Sequence, residues 1–170
     1  MDPYFFILIA GYILFASSLV AIPLKRKIVM AVTGELLYGF PKKRIGFMIG
    51  VEIAAAVLIT LSFFIRYTFF VTVILCGCGV LGAWIIVGEA ALGKYYGLYE
   101  NGIIGAGKYI PYDDILGFPV LNLPKNEQLN HPQNVLIFIS RKYGNVELSF
   151  ETDEICNEVI TTLRKMHVIK

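Results

Sequence analysis

Charge is scarce in this chain of 170 residues: Asp, Glu, Lys and Arg make up 16%, against a hydrophobic fraction of 56% and a mean hydropathy of +0.67. That balance excludes intrinsic disorder, which needs low hydrophobicity and high net charge, and it is too apolar for a soluble globular domain of this size. Cysteine is scarce too. Three residues, two of them inside an apolar run, give no disulfide framework and no reason to infer an oxidising compartment. Histidine is limited to His131 and His167, and together with Cys76, Cys78 and Cys156 these form no set with metal-ligand spacing. Neither a Ser-His-Asp nor a Cys-His arrangement is supported, so no catalytic residue, cofactor site or metal site is expected.

What is present is long apolar sequence. From Pro3 to Leu24 there is no charge, and Tyr4 to Pro23 alone is long enough for a helix to cross roughly 30 Å of hydrocarbon. Asp2 stands where a signal peptide would carry positive charge, and Leu19, Val20 and Ala21 make a poor cleavage site, so an uncleaved helix is expected. Two further apolar runs, Ile45 to Ile65 and Tyr67 to Val87, flank Arg66 and predict a helical hairpin. The expected organisation is a transmembrane region over 1–92, with helices at about 4–24, 45–65 and 67–88, and a cytoplasmic domain over 93–170.

Lys25, Arg26, Lys27, Lys42, Lys43 and Arg44 crowd the loop at 25–44 against the single acid Glu35. The positive-inside bias places that loop in the cytoplasm and the N-terminus outside, as for a multi-pass protein of a bacterial inner membrane. The apolar stretch between the two basic clusters is open to a second reading, a segment lying in the headgroup region. For helix packing, Gly46, Gly50 and Ala54 form one row of small residues, and Cys78–Gly82 and Gly79–Ala83 form others at the same spacing. Glu52 falls on a different face of its helix, about two turns inside the hydrocarbon edge. An ionisable group there marks a path, a substrate contact or a buried partner, or else is protonated or reaches a basic residue near the interface.

After Leu92 the pattern becomes alternating. Tyr95–Glu100 and Ile103–Ala106 read as a hairpin about Asn101-Gly102, whose residues suit the positive φ angles of a type I′ turn. Lys108–Pro111, Ile115–Leu121, Asn134–Arg141 and Asn145–Phe150 are further strands, and Asn122–Gln133 is a loop. A helix is expected from Thr152, an N-cap residue, with Ile155, Val159, Ile160, Leu163 and Met166 on one apolar stripe. The predicted fold is a bundle of three transmembrane helices plus a small α+β domain, an antiparallel sheet capped by its C-terminal helix. Gly102 to Lys108 satisfies the G-x-x-x-x-G-K phosphate-loop pattern, but Tyr109 replaces the magnesium-binding hydroxyl and Pro111 blocks the following helix. Asp113-Asp114 reads as a turn rather than as paired catalytic carboxylates.

Leu98 to Phe118, Val135 to Phe150 and the terminal helix are similar to the PH-like domains found in bacterial membrane proteins of unknown function. The likeness rests on Gly102-Ile103, Tyr112-Asp113-Asp114-Ile115 and the Thr152 helix; Tyr112 stands where that family more often has Trp, and the segment is shorter than seven strands require. The resemblance implies a membrane-tethered scaffold or binding domain without assigned catalytic residues. Its expected partners are the lipid bilayer and either another protein or a second copy; the slightly acidic balance after residue 93, eight Lys/Arg against nine Asp/Glu, argues against nucleic acid. The alternative is a small transporter or channel subunit with Glu52, and with it Glu89, on the path.

Overall fold

The computed structural model describes residues 3–41, 46–64, 69–128 and 131–169. Its contacts divide the chain into two units, Met1–Ile28 with Lys43–Ala91, and Val29–Lys42 with Leu92–Lys170. The composition change near residue 92 marks one boundary. The other lies inside the segment 25–44, most of which joins the second unit.

Helix α1 covers Pro3–Thr33, α2 Gly46–Phe64 and α3 Phe69–Leu92. Two stretches, Phe5–Thr33 and Phe69–Tyr95, are long and apolar enough to cross a membrane, and Gly50–Ser62 is a shorter apolar helix. Helix α1 does not stop near residue 24 as expected. It passes Pro23, which forfeits one backbone hydrogen bond, and runs on through Lys25–Lys27, because the residues up to Thr33 include no further breaker. Gly34, at φ +76°, ends it in the left-handed conformation usual just past a helix C-terminus. The stretch up to residue 41 is therefore helix and then strand rather than a loop.

That strand, β1 (Leu36–Gly39), belongs to the second unit's sheet. With β2 (Gly97–Tyr99), β3 (Gly102–Gly105) and β4 (Lys108–Pro111) it makes four antiparallel strands in sequential order. Leu36 pairs with Tyr99, Tyr38 with Leu98 and Gly39 with Gly97, with a bulge between the first two. A Cβ on Gly97 would lie 2.5 Å from the Tyr38 carbonyl, so the close approach of β1 requires glycine there. β5 (Ile115–Gly117), β6 (Val135–Ser140) and β7 (Gly144–Ser149) form a second antiparallel sheet, and α4 (Lys125–Gln128) is one turn within the expected loop. Among the described residues the second unit thus has seven strands, four plus three, the first supplied from ahead of the α2–α3 hairpin.

The turns redistribute the glycines' roles. Neither Asn101 nor Gly102 has positive φ; that geometry falls at Ala106 (φ 50°) and Gly107 (φ 68°), which join β3 to β4. Gly102 is needed for space, since a Cβ there would lie 2.4 Å from the Ile110 carbonyl. The β6–β7 turn is held by Ser140 Oγ, which accepts from the backbone of Lys142 (3.3 Å) and Tyr143 (3.2 Å).

The core lies between the sheets. Leu98, Ile103 and Ile110 meet Leu136, Phe138, Val146 and Leu148, and helix α5 (Asp153–Lys165) closes it with Cys156, Val159 and Leu163. Ile155 and Ile160, also on the expected stripe, sit at its half-buried margin. Thr152 Oγ1 accepts from the Ile155 N–H at 3.4 Å, the expected N-cap. The Glu154 carboxyl is held below its ordinary value by its own backbone N–H and then by Thr152.

Candidate functional site

In the first unit the buried positions of α3 are Thr72, Cys76, Gly79, Ala83, Ile86, Val87 and Ala91, and from Thr72 to Ile86 they form a seam at alternating spacings of four and three. Among the described residues of α2 the buried positions are Ala55, Ile59 and Ser62. These seams meet at Gly79, where an added Cβ would lie 2.8 Å from Ile59 and 3.0 Å from the Ala55 carbonyl. Helix α1 approaches α3 at Gly11, whose Cβ position is 3.5 Å from Cys76, and the Trp84 indole donates to the Leu14 carbonyl at 3.3 Å.

Of the small residues expected to pack, Gly79 and Ala83 lie on the seam. The row on α2 does not: Gly50 has no atom within 4 Å of its Cβ position and Ala54 is exposed, while the surroundings of Gly46 lie outside the described residues. Gly82 is open in the same way. The contact selects the row one residue further along: bulky Ile59 inserts where Gly79 leaves room. Cys76 is buried and Cys78 exposed, as their angular separation requires.

Glu52 falls on the inward seam of α2, three residues before Ala55 and seven before Ile59. Both of its carboxylate oxygens are buried, and among the described residues neither has a hydrogen-bond partner; Thr72 Oγ1 and Glu89 Oε2 are in the same condition. Lys25, Arg26 and Lys27 fall on α1. Lys42, Lys43 and Arg44, like Arg66, lie outside the described residues.

In the second unit the entering helix is fastened by the β2–β3 turn. Asn101 donates its backbone N–H to Thr33 O (3.1 Å) and its side-chain Nδ2 to Val32 O (3.0 Å), and Tyr109 Oη reaches Val32 O at 3.4 Å. Glu100 donates its N–H to Glu35 O (3.1 Å) and accepts the Glu35 N–H on Oε2 (3.1 Å). Helix carbonyls that ordinarily go to water are thus satisfied by a turn from the far side of the hairpin insertion. Sequence reading missed this, because nothing local to Glu100-Asn101 marks it as a cap for another segment.

Two grooves flank the domain. One, about 480 Å³, runs beside α5 and is lined by Tyr38, Glu154, Asn157, Glu158, Thr161 and Lys165, with Tyr38 Oη donating to Glu158 Oε2 at 2.6 Å. That bond, then burial, raises the Tyr38 phenol. The other, about 310 Å³, lies between β5 and the tail at Val168 and Ile169. Neither gathers a nucleophile, a base and an orienting group. The phosphate-loop match resolves into β3, a tight turn and β4, with no helix after it. Among the described residues there is no group of three or more His, Cys, Asp or Glu placed to hold a metal ion.

Charge is segregated along the domain. At one tip the Lys108 and Lys142 ammoniums stand 4.9 and 5.3 Å from the centroid of the Tyr143 ring, with exposed Arg141 adjacent in the same turn. At the other end of β7, exposed Glu151, Asp153, Glu154 and Glu158 surround the start of α5. No family model, no curated protein and no solved structure matches the chain.

Proposed function

We propose that this chain is a three-span integral membrane protein presenting a PH-like cytoplasmic domain as a non-enzymatic binding or scaffolding module. The observation that carries this reading is the pairing of β1 with β2 across the α2–α3 insertion. Paired strands must lie on one side of a bilayer, so an even number of crossings separates residue 39 from residue 97. If α3 crosses, α2 crosses as well, and its 19 residues reach about 29 Å, close to the hydrocarbon thickness. Four strands, three strands and a capping helix are the parts of a PH-like domain, here with its first strand upstream of the membrane hairpin. The basic residues after span one favour the cytoplasmic side.

The test is single-cysteine labelling in intact inverted and right-side-out vesicles. Glu35→Cys and Glu147→Cys should both be labelled only from the cytoplasmic face; labelling from opposite faces would sink the topology. Purification in mild detergent should then recover a stoichiometric partner or a self-associated form that is lost when the domain's surface is altered. A second reading, a small transporter or channel subunit, draws on the inward Glu52 carboxylate, which has no partner among the described residues; there Glu52→Gln abolishes a flux in an assembled protein.

A further inference from the structure

We infer that the outer face of α5 is a self-association surface, on which the α5 of a second copy packs antiparallel about a two-fold axis. The inference rests on the proposed reading of the domain as a binding module and names its partner. Cys156, Val159 and Leu163 turn one side of α5 into the core. On the opposite side Glu154, Glu158, Thr161 and Lys165 follow one another at spacings of four, three and four, and all four are exposed. At 100° per residue they fall within about 60° of one another, in the kind of stripe along which two helices pack side by side. The same four residues line the groove of about 480 Å³ that Tyr38 of β1 completes. β1 is an edge of its sheet, so among the described residues no strand stands beyond it.

The stripe is its own complement in charge. Reversing the helix about the point between Val159 and Ile160 carries Glu154 onto the position of Lys165, and Glu158 onto that of Thr161. In an antiparallel pair each Glu154 carboxylate therefore meets the Lys165 ammonium of the second copy, and the two-fold axis makes the contact twice. A parallel pair would set Glu154 against Glu154 and Lys165 against Lys165, so charge selects the antiparallel orientation. The opposed helix dipoles favour it as well.

Within one chain the two charges cannot satisfy each other, because eleven residues of helix hold them about 17 Å apart. The middle of the stripe is already ordered. Glu158 accepts from the Tyr38 hydroxyl at 2.6 Å, and the Thr161 hydroxyl donates to Asn157 O at 2.8 Å, so a second helix meets a preformed surface there. A face this polar binds weakly between free molecules. Two chains held in one bilayer meet at a raised effective concentration, and a weak interface then suffices.

Cross-linking of the full-length chain in its membrane tests this, in a Cys78→Ala background that leaves only the buried thiols of Cys76 and Cys156. A short bismaleimide should join Thr161→Cys to a second copy and should not join Glu147→Cys, which is also exposed but lies on β7. Glu154→Lys should lower the Thr161→Cys dimer by about tenfold, because two attractive pairs become repulsive, and Lys165→Glu should do the same. Glu154→Lys combined with Lys165→Glu should recover the dimer. A loss caused by a weakened α5 would not be reversed in this way, since the double variant sets both charges against the helix dipole. Protection of Cys156 from the reagent shows in each variant that α5 still closes the core. Equal cross-linking at Glu147→Cys, indifference to the single reversals, or a folded double variant that stays monomeric overturns the inference. So does capture of a different protein by Thr161→Cys, which would give the face another occupant. Labelling of Glu35→Cys and Glu147→Cys in vesicles is read separately, so the topology can stand when this inference falls.

Discussion

Asn101 caps a helix that ends far upstream of it: its side-chain amide donates to the carbonyl of Val32, 69 residues earlier in the chain. Between the two lie β1, α2, α3 and β2, so the last turn of α1 is completed only when the chain has returned from the hairpin. Removing this cap by Asn101→Ala should cost about 1 kcal/mol, the net worth of one such hydrogen bond, and the thermal midpoint of the purified protein reads it. Asn101→Asp, whose side chain sets an acceptor against the Val32 carbonyl, should cost more.

The hairpin seam gives a sharper contrast. Gly79→Val forces atoms into Ile59 and the Ala55 carbonyl and should lower stability in detergent by about 1–3 kcal/mol. Gly82→Val, three residues away and open in the bundle, should stay within about 0.5 kcal/mol of the parent. Equal effects at the two positions would place the α2–α3 contact elsewhere.

Glu52 bears on both functional readings. A buried carboxyl with no partner among the described residues destabilises the protein that carries it, so Glu52→Leu should raise detergent stability, by about 1–3 kcal/mol. A loss of stability instead would mean that the carboxyl finds a partner in the assembled protein, from a residue of this chain outside the described ones, a second copy or a bound cation.

The domain should unfold in alkali. Tyr38, Tyr99, Tyr109 and Tyr112 all have phenols raised above the ordinary 10.0, Tyr38 chiefly by its hydrogen bond to Glu158 and the other three chiefly by burial. A raised phenol stabilises the fold fully below that ordinary value, and the contribution is lost as pH rises through the folded value. Phenolate absorbance should therefore lag the ordinary titration and then appear together with loss of structure above pH 10. Tyr112→Phe, which removes the 2.8 Å bond to Tyr99 O, should weaken the neutral-pH fold by about 1 kcal/mol.

Cys156 reports the domain's integrity. It is buried under α5, and burial followed by the nearby Asp153 pushes its thiol up to about 11. A maleimide should leave it unmodified at neutral pH in the folded protein and label it on unfolding. Ready labelling under native conditions would show that α5 does not close the core.

Local pattern carried a good part of this description. The uninterrupted apolar runs marked the helices, because a membrane-length helix needs nothing but composition to be recognised. Alternation and turn residues located β3, β4, β6 and β7 closely, and Thr152 with the stripe at Val159 and Leu163 located α5, because a helix must bury one face. Tertiary structure decided the rest. Leu36–Gly39 carries no alternation strong enough to name a strand; it becomes β1 because the edge of β2 supplies its hydrogen bonds and Gly97 lets it come close. The seam through Ile59 and Gly79 was chosen over the Gly50–Ala54 row by how volumes interlock. The sum of charges after residue 93 nearly cancels, yet folding carries Lys108, Arg141 and Lys142 to one end and the acids around α5 to the other. A sum over a sequence has no direction, and only the path of the backbone gives the charges one.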